Sequence, residues 1–242
     1  GAEGGTGAAP VEFMDNVGMP LLDGFLLVHN TLVGAGVRDK IKIGVSGKII
    51  SAFDIARMLA LGADWCNSAR GFMFAVGCIQ SRACHTNKCP TGVATQDPYR
   101  QRALHIPDKA QRVYNFHKNT LKSLAAIVGA MGLKHPKDLQ AYHIARRLEN
   151  GQIKLLSKFY YFTEPGVLLN LSARSDVFNQ MWVMANPDSF LANNEALIAY
   201  NHDVRHAHDH NKNCFNEGNY PERIDSFDET ANSYYTYDDD PS

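Results

Sequence analysis

The spacing of apolar side chains along the first third of the chain predicts helices and strands in turn. Apolar residues recur every three or four positions over residues 21–33, which predicts an amphipathic helix that ends near Gly34 and Gly36. The β-branched run at residues 41–45 predicts a buried parallel strand, and residues 63–66 predict a second strand. Because helices and strands alternate, we expect βα units with a parallel sheet that is covered on its faces.

Further helices are predicted between and after these strands. Ser51 is placed to cap the helix that follows the first strand, and Gly62 is placed to end it. Other helices are predicted at residues 69–76, 109–131 and 138–148. The run at residues 109–131 is expected to be the longest helix.

Two architectures fit this order of elements, a doubly wound sheet and a (β/α)8 TIM barrel. In a barrel, phosphate groups commonly bind at the loops after the seventh and eighth strands, where backbone amides at a helix start point towards the ligand. If the two predicted strands are the seventh and eighth strands of a barrel, the phosphate-binding residues are Ser46, Gly47, Lys48, Ala69, Arg70 and Gly71. From the residues alone, an equal alternative is that Gly47 and Gly71 only make tight turns.

The cysteine spacing indicates metal chemistry. Cys78, Cys84 and Cys89 share one short loop, and Pro90 follows the last of them. The loop is too polar for inert core cysteines, and a thiol-rich loop with a proline behind it is typical of iron–sulfur ligation. Three thiolates suit a three-iron cluster better than a four-iron one. His85 and the three thiols would instead make a Cys3His zinc site, although zinc sites usually have shorter gaps between cysteines. Spacing alone places iron–sulfur only modestly ahead of zinc.

The composition of the 242-residue chain excludes several classes of function. A formal net charge of −1 gives no basic field for phosphate backbones, so we do not expect a nucleic-acid partner. No apolar run approaches the length of a membrane span. Clustered cysteines indicate a reducing compartment rather than a disulfide framework, so we expect the cytoplasm. The chain begins with Gly inside a glycine-rich loop, and we expect it to be a fragment.

A longer motif surrounds the cysteines. The segment GCIQSRACHTNKCPTGVATQD, residues 77–97, resembles the cluster-binding segment of glutamate synthases, in which G-C and C-H precede N-x-C-[PA]-x-G-[VI]-[AC]-T-Q-D. The resemblance extends upstream through EGGTGAAP at residues 3–10 and SGKIISAFDIARMLALGAD at residues 46–64. The segment CNSARGFMFA, residues 66–75, is similar to the stand-alone FMN-binding members of the family.

The resemblance implies an α/β fold, the C-terminal part of a TIM barrel with an inserted cysteine loop. It implies that the two loops named above bind the FMN phosphate through backbone amides, with Lys48 or Arg70 adding charge. It also implies a 3Fe-4S cluster that is held by Cys78, Cys84 and Cys89 and not by Cys66 or Cys214.

The implied activity is that of an oxidoreductase that forms glutamate by FMN-mediated reductive amination of 2-oxoglutarate. Ammonia or another amine would be the nitrogen donor, a glutaminase chain is a candidate partner, and ferredoxin or a NADPH-linked subunit would donate electrons. The catalytic residues are not identified, and we expect the chain alone to be inactive. Two alternatives stay open, an N-methylglutamate synthase-type subunit and a non-catalytic, zinc-stabilised interaction module.

We expect three parts along the chain. Residues 1–133 form the barrel half, which includes the cluster loop at residues 66–97, and residues 134–190 form a helical extension. Within that extension, the aromatic run at residues 159–162 is expected to pack against the core. Residues 191–242 form a polar tail with too few aliphatic residues to order itself. The tail histidines complete no ligand motif, so we interpret them as solvated.

Overall fold

The computed structural model describes residues 18–170, 176–199 and 201. By its internal contacts the chain divides into two compact units, Gly1–Asn179 and Gln180–Ser242. The glycine-rich opening loop, the tail histidines and Cys214 lie outside the described residues, so the predictions about them stay predictions.

The elements follow the predicted order through the first half of the chain. The α-helices are α1, Leu21–Gly34; α2, Ala52–Ala60; α3, Ala69–Val76; α4, Pro98–Gln101; α5, Ile106–Ala130; α6, Leu156–Phe159; and α7, Asp176–Met184. The strands are β1, Gly44–Ser46; β2, Trp65–Asn67; β3, Ala145–Arg147; and β4, Ile153–Leu155. Short 3-10 turns lie at Cys84–Thr86, Pro136–Asp138, Ala141–His143 and Val167–Leu169. In the described part of the chain, no helix is long and apolar enough to cross a membrane.

The two predicted parallel strands pair with each other. In β1 and β2, Gly44 lies opposite Trp65, and Ser46 lies opposite Asn67. The parallel pairing and the helices α2 and α3 after the strands confirm the mixed α/β class. The observed strands begin two to three residues later in the chain than the predicted runs.

Helices cover one face of this strand pair. Val45 in β1 is 3% exposed, and Cys66 in β2 packs against the same hydrophobic cluster. The helices α1, α2 and α5 supply half of the buried residues of the cluster, namely Phe25, Leu26, Ala52, Ala56, Met58, Ala60, Leu124 and Val128. Along β1 and β2 the residues that alternate with Val45 and Cys66 are exposed, as the two-residue period of a strand requires.

The start of α2 confirms the predicted cap. The Ser51 hydroxyl accepts a hydrogen bond from the Asp54 amide at 3.2 Å, and the Asp54 carboxylate accepts one from the Ser51 amide at 2.9 Å. This reciprocal pair is a capping box, which satisfies two amides that the helix itself leaves unpaired. The helix ends at Ala60, just before Gly62, as expected.

The prediction of a helix at residues 138–148 is wrong. This segment forms a 3-10 turn and then β3, which pairs with β4 in an antiparallel hairpin. The chain reverses at Asn150 and Gly151, where the Leu148 amide donates to the Gln152 carbonyl at 2.8 Å. An Asn-Gly pair favours such a turn, and here it outweighs the helical spacing of the apolar residues.

The aromatic run at residues 159–162 packs in part, as predicted. Tyr160 and Phe162 lie against the hydrophobic cluster, whereas Tyr161 is exposed. The guanidinium carbon of Arg146 lies 4.7 Å from the centre of the Phe159 ring. This cation–π contact joins β3 to α6.

The segment after α6 is fastened to α1 by Asn30, which is 5% exposed. Its Nδ2 donates to the Tyr161 carbonyl at 2.9 Å, and its Oδ1 accepts from the Thr163 amide at 3.1 Å. A third contact follows, in which the Gly166 amide donates to the Val33 carbonyl at 3.1 Å. One buried side chain therefore satisfies two backbone groups that are distant in sequence.

An ionic network joins the segment after α1 to the residues that precede β1 and β2. The Arg38 guanidinium donates to Asp64 Oδ2 at 2.8 Å and to the Gly62 carbonyl at 2.6 Å, and the Ile43 amide donates to Asp64 at 2.8 Å. Lys42 Nζ lies 3.3 Å from Asp64 Oδ1. Burial acts to raise the pKa of Asp64, but hydrogen bonds from the Ile43 amide, Arg38 and Lys42, together with the charge of Arg38, outweigh burial and lower that pKa.

Candidate functional site

The two predicted phosphate loops lie side by side. β1 ends at Ser46 and β2 ends at Asn67, and these two residues are register partners. Because the strands are parallel, the loops that follow them leave the same edge of the sheet, where ligands bind in α/β folds. The structure therefore places Ser46, Gly47 and Lys48 next to the loop that leads into α3. Lys48 has a positive φ of 44°, which is uncommon for a residue with a side chain.

The other predicted residues form the first turn of α3. Ala69, Arg70 and Gly71 begin the helix, where backbone amides have no partner within the helix and the dipole is positive. Gly71 is buried, and a Cβ atom there would lie 2.6 Å from Ser68 Oγ and 2.8 Å from Phe116 Cζ. Only glycine allows α3 to approach α5 this closely.

Ser68 connects the two loops directly. Its hydroxyl donates to the Ile49 carbonyl at 2.6 Å, and it caps no amide of α3. The sequence did not reveal this contact, because a serine directly before a helix predicts a local cap. Nothing in the local pattern indicates a partner 19 positions away.

The cysteine loop begins as soon as α3 ends. Gly77, in the left-handed conformation, terminates the helix, and Cys78 follows it. Gln80, Arg82 and Asn87 also have positive φ angles, of 56°, 53° and 63°. Each such residue costs about 1 kcal/mol or more, and strained backbone of this kind clusters at functional sites.

Hydrogen-bond donors surround the sulfur of Cys89, which is 5% exposed. Thr91 Oγ1 lies 3.5 Å from the sulfur. Burial acts to raise the pKa of the Cys89 thiol, but donors from the Thr91 hydroxyl and from the amides of Ala94, Thr91 and Val93 outweigh burial. Together they lower the pKa to about 7. The Cys78 sulfur accepts one backbone amide, that of Gln80, at 3.4 Å. The loop therefore favours the thiolate of Cys89.

Asn87 holds the second half of the loop in place. Its Oδ1 accepts from the Gln96 amide at 2.6 Å, and its carbonyl accepts from the Thr95 hydroxyl at 2.7 Å. Gly92 has φ of +76°, and a Cβ atom there would collide with the Arg100 carbonyl. These contacts fix the turn that carries Cys89 against α4.

The three loop cysteines are not gathered into a ligand set. Within the described residues, no group of three or more His, Cys, Asp or Glu side chains is arranged to hold a metal ion. Cys66 differs from the loop cysteines because it lies in β2, where burial and the Asp54 charge raise the pKa of its thiol to about 11. The ligand assignment stays a prediction, while the donor chemistry of the loop fits thiolate ligation of a metal.

Comparison with known proteins identifies the family. A family model described as "Conserved region in glutamate synthase" matches residues 1–134. This chain belongs to the glutamate synthase family. It is 44% identical over 153 residues to the glutamate synthase large subunit-like protein YerD of Bacillus subtilis (strain 168), a match that covers 63% of this chain and 29% of YerD.

Further relatives are named as glutamate synthases. Identity is 33% over 159 residues to the archaeal glutamate synthase [NADPH] of Archaeoglobus fulgidus, covering 64% of this chain and 31% of that protein. It is 32% over 149 residues to the ferredoxin-dependent glutamate synthase 1 of Arabidopsis thaliana, covering 57% of this chain and 9% of that protein. The chain thus spans less than a third of the length of each of these relatives.

Proposed function

We propose that this chain supplies the FMN phosphate site and the cluster ligands of an oxidoreductase of the glutamate synthase class. The enzyme would form glutamate from 2-oxoglutarate and ammonia, with electrons relayed by a 3Fe-4S cluster. Membership of the glutamate synthase family supports the class of reaction.

The surroundings of the Cys89 sulfur carry the cofactor part of this proposal. A thiolate, not a thiol, binds iron, and a pKa of about 7 supplies the thiolate at neutral pH. The Cys78 sulfur also accepts a hydrogen bond from a backbone amide, that of Gln80. Hydrogen bonds to sulfur tune the reduction potentials of iron–sulfur clusters. Cys84 lies between these two in the loop and would be the third ligand. Cys66, whose pKa is raised, would stay protonated.

The backbone amides of residues 46–48 and 69–71 would hold the FMN phosphate. The supporting observation is that both loops leave one edge of the sheet and that Ser68 joins them. Arg70 lies in the first turn of α3, where its guanidinium could add two hydrogen bonds to a phosphate. When bound, FMN supplies the hydride chemistry, and the protein supplies position and electrostatics.

The remaining partners are proposed from the relatives. Two of them are named for ferredoxin and for NADPH, so the electron donor is either ferredoxin or a NADPH-linked subunit. Ammonia would come from solution or from a glutaminase chain.

Metal and flavin content of the full-length protein test the proposal. We expect about three iron atoms and one FMN per chain, with visible absorption from both. Replacement of Cys78, Cys84 or Cys89 by Ser should abolish most of the iron, whereas Cys66→Ser should retain it. Full iron retention in Cys84→Ser would refute the ligand assignment. A colourless protein that contains zinc would instead support the interaction module.

The phosphate site has a separate test in the same protein. FMN should bind more tightly than riboflavin, which lacks the phosphate. Arg70→Ala should weaken FMN binding and leave riboflavin binding nearly unchanged. Unchanged FMN affinity in Arg70→Ala would assign the phosphate to backbone amides alone.

A further inference from the structure

Two serines in this chain hold the same position relative to a helix but make different contacts. Ser51 precedes α2 and caps it, since its hydroxyl accepts from the Asp54 amide. Ser68 precedes α3 and provides no side-chain cap. Its hydroxyl instead donates to the Ile49 carbonyl at 2.6 Å. Serine at this position normally stabilises the helix start, so the Ser68 hydroxyl serves a different contact.

That contact spans the two loops at the edge of the sheet. Ile49 is buried and follows β1, while Ser68 is partly buried and follows β2. The hydrogen bond therefore joins the residue directly after the loop at residues 46–48 to the residue directly before α3. Gly71 leaves room for this arrangement, because a Cβ atom there would lie 2.6 Å from Ser68 Oγ.

We infer that Ser68 is a positioning residue that sets the distance between the two groups of backbone amides around the phosphate. The inference rests on the proposed function, namely that these loops bind the phosphate of FMN. Amide donors bind phosphate oxygens only within a narrow range of distances, about 2.7–3.2 Å. A phosphate held from two separate loops therefore depends on whatever fixes the space between them.

Ser68 would act through the position of the two loops and not by touching the phosphate, so the test compares a ligand that has the phosphate with one that lacks it. Without the hydroxyl, the Ile49 carbonyl loses its donor and the loops are no longer tied by a side chain. We expect Ser68→Ala to weaken FMN binding about tenfold, the loss expected for about one hydrogen bond. Riboflavin binding should change less than about twofold, because riboflavin carries no phosphate. A general loss of structure would instead weaken both ligands alike.

The experiment measures dissociation constants of FMN and riboflavin for the full-length protein by fluorescence titration. Ser68→Thr, which keeps a hydroxyl, should retain the preference for FMN. Ser51→Ala is the matched control, because it removes a serine at the same helix position whose hydroxyl is hydrogen-bonded to Asp54 within α2. It should lower the melting temperature and leave the ratio of the two constants unchanged.

The outcomes separate the inference from the proposed function. A wild-type protein that prefers FMN, with a preference that shrinks in Ser68→Ala but not in Ser68→Thr or Ser51→Ala, supports the inference. If Ser68→Ala keeps the wild-type preference, or loses affinity for both ligands equally, the positioning role is overturned and the phosphate site stands. If the wild-type protein binds FMN no better than riboflavin, the phosphate site itself is overturned, and the role of Ser68 with it.

Discussion

Replacement of Asn30 by Ala should detach the segment after α6 from α1. Asn30 is buried and supplies two hydrogen bonds, one to the Tyr161 carbonyl and one from the Thr163 amide. Alanine can make neither bond. The Thr163 amide would then be buried without an acceptor, because Thr163 is only 7% exposed. This substitution therefore tests whether one side chain fastens the segment.

The cost follows from the two bonds. A buried donor without an acceptor costs about 1–3 kcal/mol, and an ordinary hydrogen bond contributes about 0.5–1.5 kcal/mol. Since the carbonyl of the exposed Tyr161 can turn to water, its loss falls in the lower range. We expect the free energy of local opening to fall by about 2–4 kcal/mol, which corresponds to about 30- to 1,000-fold in population.

Hydrogen exchange of the Gly166 amide measures this opening in the full-length protein. The amide donates to the Val33 carbonyl, a bond that the substitution does not touch, so its protection reports on the whole segment. Asn115→Ala on the exposed side of α5 is the control, because Asn115 only accepts from Gln111 at 2.9 Å. Unchanged protection of Gly166 in Asn30→Ala would refute the reasoning.

The remaining predictions concern two carboxylates, Asp64 and Asp108, and the pH dependence that Asp64 and Cys66 cause. Asp64→Asn should lower stability by roughly 1.5–3 kcal/mol in urea unfolding, since it weakens charged hydrogen bonds to Arg38. Asp108→Asn, at an exposed ion pair, should change stability by less than about 0.5 kcal/mol. Because the pKa of Asp64 is lowered in the fold, its contribution should persist above the ordinary carboxyl pKa and fade as pH falls through the lowered value. The pKa of Cys66 is raised in the fold, so the pH dependence runs in the opposite direction. Ionisation of Cys66 should destabilise the fold as pH rises from about 8.5 towards 11. The rate of Cys66 alkylation, measured by mass spectrometry, should therefore reach half its maximum near pH 11. A rate that is already maximal below pH 9.5 would contradict this.

Local signals in the sequence predicted the elements around the site. The helix at residues 69–76 appears with the predicted bounds, and Ser51 caps α2 as expected. Both predictions rest on interactions within a few residues, namely a 3.6-residue period and an N-terminal cap. The placement of the two loops at one edge follows from parallel pairing, which alternation of helices and strands indicates.

Long-range contacts could not be predicted from the sequence in this way. Ser68 and Ile49, or Asn30 and Thr163, meet only after the fold brings distant segments together. The hairpin of β3 and β4 is a different kind of error, because its Asn150-Gly151 turn is visible in the sequence. There, helical spacing of apolar residues competed with a turn signal, and the turn prevailed.

The ionic network also keeps the strand pair in its alignment. The Asp64 carboxylate accepts from the Ile43 amide, and the Asp64 amide donates to the Ile43 carbonyl at 2.9 Å, so this residue pair is locked just before the ladder begins. Strands of three residues have few bonds of their own to resist sliding. A slip by one position would turn Ser46 to the helix-covered face and shift its loop by about 3.3 Å along the sheet. Asp64 therefore fixes the strand register from the end of the strands that lies opposite the two loops. It disfavours a misaligned fold in which the two loops are displaced from each other.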